Sequence, residues 1–176
     1  NCYFNWASFK LTGNIIRHTD DHVFSQKEVF CLLDQFFKKE TLTLDAVPGA
    51  KQALNELSTR AQVIILSNVP YAYREERIEC LNNHGMDYPV VVNAGPKGPA
   101  VKALAEKTQG PVFFIDDSPN NIKSVAEVAD GVRRIHFIHD IRLGKLIGTA
   151  PHSHYHSVSW TTAKEIIDEE LRTAGF

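Results

Sequence analysis

Phe113-Phe114-Ile115-Asp116-Asp117-Ser118-Pro119-Asn120-Asn121 joins an apolar run to two adjacent carboxylates and then to a turn. The run predicts a buried strand. The turn opens an apolar stripe, Ile122, Val125, Ala126 and Ala129, at helical spacing. In an open parallel sheet ligands sit at the carboxyl ends of the strands. Two acids at such an end repel unless a positive group lies beside them, and Mg²⁺ is the usual one. The plainer alternative is that Asp116 and Asp117 cap the next helix.

Working outward, βα alternation continues on both sides of this stretch. Val47-Pro48-Gly49 turns into a helix with Ala50, Ala53, Leu54 and Leu57 on one face. The strand Gln62–Leu66 follows, apolar and β-branched as a strand buried on both faces would be, and it runs into Ser67-Asn68-Val69-Pro70. A helix over 73–83 leads to a strand over 88–92, then to the loop Asn93–Pro99, with Pro99 as the first residue of a helix over 100–107. Beyond the opening stretch come a strand over 131–138, a short amphipathic piece, an edge strand over 152–158, and a last helix capped by Thr161 or Thr162. The expected architecture is a doubly wound, mostly parallel α/β sheet. Residues 1–45 read as a separate, helical region that serves as a small cap or as plain helical packing. Its best helix has Ser25 and Glu28 as a capping box and Val29, Phe30, Leu32, Leu33, Phe36 and Phe37 as its apolar face.

Composition narrows the class. The 176 residues suffice for one core with a small insertion, and 43% hydrophobic with 23% charged residues is ordinary for a globular chain. A formal charge of −2 gives no basic face for a nucleic acid polymer. No apolar run is long enough to span a membrane. Three cysteines without metal-ligand spacing fit reduced thiols, and the expected location is cytoplasmic.

Three loops fall on one edge of the expected sheet: Ser67-Asn68, Lys97 and Asp116-Asp117. A hydroxyl with nearby N–H groups can hold phosphate oxygens, a lysine can neutralise their charge, and carboxylates can hold Mg²⁺. Each alone has a bland reading, a turn residue for Ser67 or a solvated loop lysine for Lys97. The ordered series is the more specific signal.

These residues resemble the haloacid dehalogenase-like hydrolase (HAD) superfamily over about residues 45–160. Ile64-Ile65-Leu66-Ser67-Asn68 is similar to its second motif, Lys97 in Gly-Pro-Lys-Gly-Pro to its third, and Phe114-Ile115-Asp116-Asp117 to its fourth. The resemblance implies a Rossmann-like core over 46–176 beneath a small helical cap over 1–45. It also implies a Mg²⁺-dependent phosphohydrolase acting on a small phosphomonoester through an aspartyl-phosphate. Ser67 and Asn68 would bind phosphate, Lys97 and Ser67 would serve catalysis, and Asp117, with Asp116 as its partner or as a hydrogen-bond acceptor behind it, would hold the metal.

One motif is absent. The family's first strand ends in Asp-x-Asp, the nucleophile and the acid/base, and no segment here matches it. Either that strand lies upstream of Asn1, or Asn1-Cys2-Tyr3-Phe4 stands in for it and the chain is a degenerate module that binds a phosphorylated ligand or a protein. The cost of leaving a central sheet position unpaired, together with the missing initiator methionine, favours the first. His152, His154 and His156 alternate so as to share a strand face, which is either a metal site or an exposed edge strand.

Overall fold

The computed structural model describes residues 1–176. Its core is a twisted α/β arrangement of short parallel strands: β3 (Ile65–Ser67), β4 (Val90–Val92), β5 (Phe113–Asp116), β6 (Arg133–Phe137) and β7 (Tyr155–Ser157). Helices α2 (Ala50–Leu57), α3 (Arg74–Asn83), α4 (Gly98–Ala105), α5 (Pro119–Val128), α6 (Ile141–Ile147) and α7 (Trp160–Thr173) connect and cover them.

Period-two alternation divides the apolar residues of β5 between two helical layers. Phe114 packs with Val101 of α4 and with Ile122 and Val125 of α5. Phe113 and Ile115 pack on the other side with Leu57 of α2 and with Ile167 and Leu171 of α7. A third cluster, Ala50, Leu54, Leu81, Met86 and Val90, fixes α2 and α3 to β4. Lys164 ties α7 to α2 by bonding both Asp168 (2.7 Å) and Glu56 (3.0 Å). The acidic run Asp168-Glu169-Glu170 is paired throughout, with Lys164, Arg172 and Arg133 respectively.

The sheet is in two pieces. β3 pairs with β4, and β5, β6 and β7 pair in that order, all parallel, but no ladder joins β3 to β5. In a parallel ladder alternate residues turn their backbone groups to opposite sides. Ile65 and Ser67 bond β4, through Ile65 N–H to Pro89 C=O (2.9 Å) and Asn93 N–H to Ser67 C=O (2.8 Å), so the groups of Leu66 turn away from it. By the same alternation β5 turns the groups of Phe113 and Ile115 away from β6. Two strands sandwiched between helices thus each keep one unpaired edge.

The N-terminal region departs from expectation. Residues 1–17 are not helical: β1 (Cys2–Phe4) pairs antiparallel with β2 (Ile15–Arg17). Aromatic and β-branched residues favour that pairing. Asn14 closes the loop from inside, donating to Ser8 Oγ (2.6 Å) and Lys10 C=O (2.7 Å). Because Cys2–Phe4 is committed to this hairpin, it does not occupy the position beside β3. Helix α1 (Gln26–Glu40) begins with the capping box read from the sequence, and Ser25 chiefly, then His22, holds the Glu28 carboxyl down at about 2.

Other boundaries shift for local reasons. β3 starts at Ile65 rather than Gln62, because pairing begins where Ile65 N–H meets Pro89, which has no N–H to extend the ladder. The helix after β3 is preceded by a 3₁₀ turn, Tyr71–Tyr73, and Pro99 is the second, not the first, residue of α4. Ser159 rather than a threonine caps α7, its Oγ accepting from Thr162 N–H (3.1 Å). β7 is an edge strand as expected. No helix is long and apolar enough to cross a membrane.

The divided sheet has a direct readout. In this chain by itself, the Leu66 and Ile115 amides should exchange with solvent faster than those of Ile65 and Asp116, by about tenfold or more, as unpaired groups do. Residue-resolved hydrogen exchange measures it.

Candidate active site

Strand ends bring three loops to the carboxyl edge of the two half-sheets. After β5, the chain places Asp116 at the last strand position and Asp117 just beyond it. Neither aspartate caps α5. Ser118 does so, and Pro119 is the first helical residue.

Asp116 is buried, its side chain only 4% exposed, and both its oxygens are engaged. Oδ2 accepts from Lys97 Nζ (2.8 Å), while Oδ1 accepts from Ser118 N–H (2.9 Å) and Asn121 Nδ2 (3.0 Å). Lys97 reaches it from the position before α4, and its side chain is 15% exposed. One ammonium hydrogen serves Asp116, which leaves two more for other acceptors.

Lys97 stands where it does because α4 and α5 approach closely. A Cβ on Gly98 would meet Ser124 C=O at 2.2 Å, and Gly98 N–H donates to Ser124 Oγ (3.1 Å). No other residue fits there.

Asp117 is different. It is exposed, and no side chain is bonded to its carboxylate. Desolvation by the surrounding loop, then the charge of Asp116, push its carboxyl above the usual range. Its backbone is fixed instead. His136, fully buried on β6, places Nε2 at 3.1 Å from Asp117 C=O, and its Nδ1 lies 3.0 Å from Ala150 N–H.

The other two loops are stapled together. Asn68 Nδ2 donates to Gly95 C=O (2.9 Å), and Asn93 Nδ2 donates to Asn68 Oδ1 (2.8 Å) and to Gly95 C=O (3.0 Å). Gly95 adopts φ +80°, a left-handed turn that presents its carbonyl to both amides. Ser67 Oγ accepts from Val69 N–H (3.3 Å), so its own hydroxyl proton remains available to an acceptor. Hydrogen bonds therefore run from the β3 loop to the β4 loop, and through Lys97 to Asp116 on β5.

The N-terminal region touches the core along this same edge. Tyr73, after β3, meets Asp34 of α1 at 3.5 Å, and Arg142, after β6, stacks on Trp6 at 4.5 Å.

Sequence reasoning singled out Ser67, Asn68, Lys97, Asp116 and Asp117, but not Asn93, Asn121, Ser124 or His136. Asn93 and Asn121 sit in legible places, one directly after a strand and one in the opening stretch. His136 carries no signal, because it reads as one more residue of a buried strand. The histidines near β7 do not act together. His154 Nδ1 accepts from Arg134 N–H (3.0 Å), His156 stacks on His136, and His152 lies outside the strand. No group of three or more His, Cys, Asp or Glu side chains able to hold a metal is present. For Mg²⁺ this edge offers one free hard donor, the carboxylate of Asp117. Asp116 is already committed to Lys97 and two N–H donors.

Two outcomes follow from these contacts. Lys97→Met should destabilise the protein by about 3 kcal/mol, since it strands a buried carboxylate; denaturant unfolding, with Asp116→Asn/Lys97→Met as the rescuing double variant, measures it. Asp117 binds its proton more tightly in the native state, so its ionisation lowers stability as pH rises through the carboxylate range. Asp117→Asn should raise the melting temperature at neutral pH, and the gain should vanish as pH falls below that range.

No protein-family model matches the chain, and no curated protein does. Solved structures do match. A protein from Burkholderia xenovorans described as a haloacid dehalogenase-like hydrolase superposes with a TM-score of 0.59 at 15% identity, over 80% of this chain and 67% of its own. A haloacid dehalogenase-like family hydrolase from Streptococcus pneumoniae gives 0.61 at 12% identity, over 82% and 72%. At such identities the likeness is one of architecture, and the fold of this chain is that of the HAD-like hydrolases.

Proposed function

We propose that this chain carries most of a Mg²⁺-dependent phosphohydrolase for a small phosphomonoester. The observation that carries the reading is the buried Lys97–Asp116 pair set beside the unbonded carboxylate of Asp117, at the carboxyl edge of a HAD-like sheet.

The residues present suggest the following roles. The Ser67 hydroxyl and the Asn68 N–H donate to phosphoryl oxygens, the Asn68 side chain being occupied in joining two loops. Lys97, oriented by Asp116, turns its remaining ammonium hydrogens to the phosphate and the nucleophile. Asp117 holds Mg²⁺, and the ion when bound offsets charge on the phosphoryl group.

The nucleophile is assigned to an Asp-x-Asp strand upstream of Asn1, seated between β3 and β5, where Leu66 and Ile115 turn unpaired backbone groups. Its first aspartate attacks phosphorus as the bond to the alcohol breaks, and its second gives the alcohol a proton. Water then cleaves the aspartyl-phosphate, releasing inorganic phosphate and restoring the carboxylate.

A second reading is a catalytically degenerate module that binds a phosphorylated ligand or a protein partner. One observation favours it: no Asp-x-Asp follows any strand of these residues, Cys2–Phe4 being tied to β2.

The experiment is hydrolysis of an aryl phosphate, with and without Mg²⁺, by the protein carrying its native upstream residues. Asp117→Asn should lower Mg²⁺-dependent turnover by about a hundredfold or more. Unchanged turnover in that variant removes Asp117 from the metal site. Phosphate binding without turnover in the wild type selects the binding module.

A further inference from the structure

Both nitrogens of the His136 ring are hydrogen-bonded. The ring is fully buried, and both nitrogens have main-chain partners on segments distant in sequence. The Ala150 N–H has only a proton to offer, so Nδ1 must be the acceptor. Nε2 then carries the hydrogen and donates it to Asp117 C=O, which has only lone pairs to offer. The two partners thus fix one neutral tautomer and leave the ring no alternative pairing in place. Asp117 contrasts with its neighbour. Asp116 is held through its carboxylate by three donors, whereas Asp117 keeps its carboxylate free and is held through its carbonyl.

We propose that His136 is the positioning residue for Asp117: as a neutral Nε2–H donor anchored by Ala150, it fixes the main chain of Asp117 so that the unbonded carboxylate is held exposed at the carboxyl end of β5. The metal-binding arm of this proposal rests on the phosphohydrolase reading, but the placement of the loop does not. His136 touches no substrate and acts only through Asp117. A ring clamped at both nitrogens transmits the position of β6 and of the Ala150 segment to the site, and an exposed carboxylate on a short turn otherwise has nothing to set its direction. Partners of this kind, one step behind a ligand, commonly change metal affinity or activity by about 10–100-fold when removed.

Two amide replacements separate the two ring nitrogens. His136→Gln places an N–H donor near the position of Nε2 and keeps the bond to Asp117 C=O. His136→Asn reaches only as far as Nδ1, so it keeps the bond from Ala150 and loses the one to Asp117. Both lose packing, so stability alone does not distinguish them, and each is read well below its own melting temperature. In the protein with its native upstream residues, His136→Asn should weaken Mg²⁺ binding by calorimetry, and lower kcat/KM, by about tenfold or more, while His136→Gln stays close to wild type. Equal losses in the two variants overturn the proposal.

If the wild type neither binds Mg²⁺ nor turns over an aryl phosphate, the phosphohydrolase reading fails, and the positioning role is read from the loop itself. The Ser118 amide, bonded to Asp116 Oδ1 one residue beyond Asp117, should then exchange about tenfold faster in His136→Asn and not in His136→Gln. Unchanged exchange in both overturns the proposal. Nitrogen NMR of the wild-type imidazole at neutral pH needs no variant at all: protonated Nε2 with bare Nδ1 is expected, and a protonated Nδ1 refutes it.

Discussion

The bond between Lys97 and Asp116 is the contact on which the site depends. It crosses from the segment before α4 to the end of β5, and it neutralises a carboxylate that the interior would otherwise reject. Its length is set by backbone packing, because Gly98 lets α4 settle against Ser124 of α5. Ser118 and Asn121 complete the acceptor's partners from the first turn of α5. One ion pair therefore fixes the mutual placement of two helices and a strand end. The neighbouring carboxylate of Asp117 is left unbonded beside a charge that is already balanced.

The division of labour between the two acids was only partly legible in the sequence. A strand running into Asp-Asp announces a charged strand end, and βα alternation locates that end on the same edge as Ser67 and Lys97. Nothing local says which acid faces inward. That depends on the pleat of β5, which turns Phe114 and Asp116 to one face and Phe113 and Ile115 to the other. His136 and Asn93 escaped notice because their roles consist of bonds to main-chain carbonyls and to another amide, and no spacing pattern encodes such bonds.

The N-terminal region was less legible. Its capping box is a local device and was read correctly at Ser25 and Glu28. The hairpin before it was missed, because two three-residue strands give too few alternations to display a period. Sequence reasoning found no segment matching the family's first strand, and in the structure no ladder joins β3 to β5. The hairpin meets α6 through a cation–π contact of Arg142 with Trp6, and α1 meets the 3₁₀ turn after β3 through a long Tyr73–Asp34 contact.

The two bare ribbons have a consequence for how this polypeptide behaves in solution. Ile64, Ile65, Leu66, Phe113 and Ile115 carry no charge, and neither β3 nor β5 has a lysine or a proline to repel an incoming chain. Natural sheets guard such margins, and an unguarded one recruits whatever extended segment is nearest. At high concentration that segment is another molecule's, and such margins favour cross-molecule pairing and precipitation.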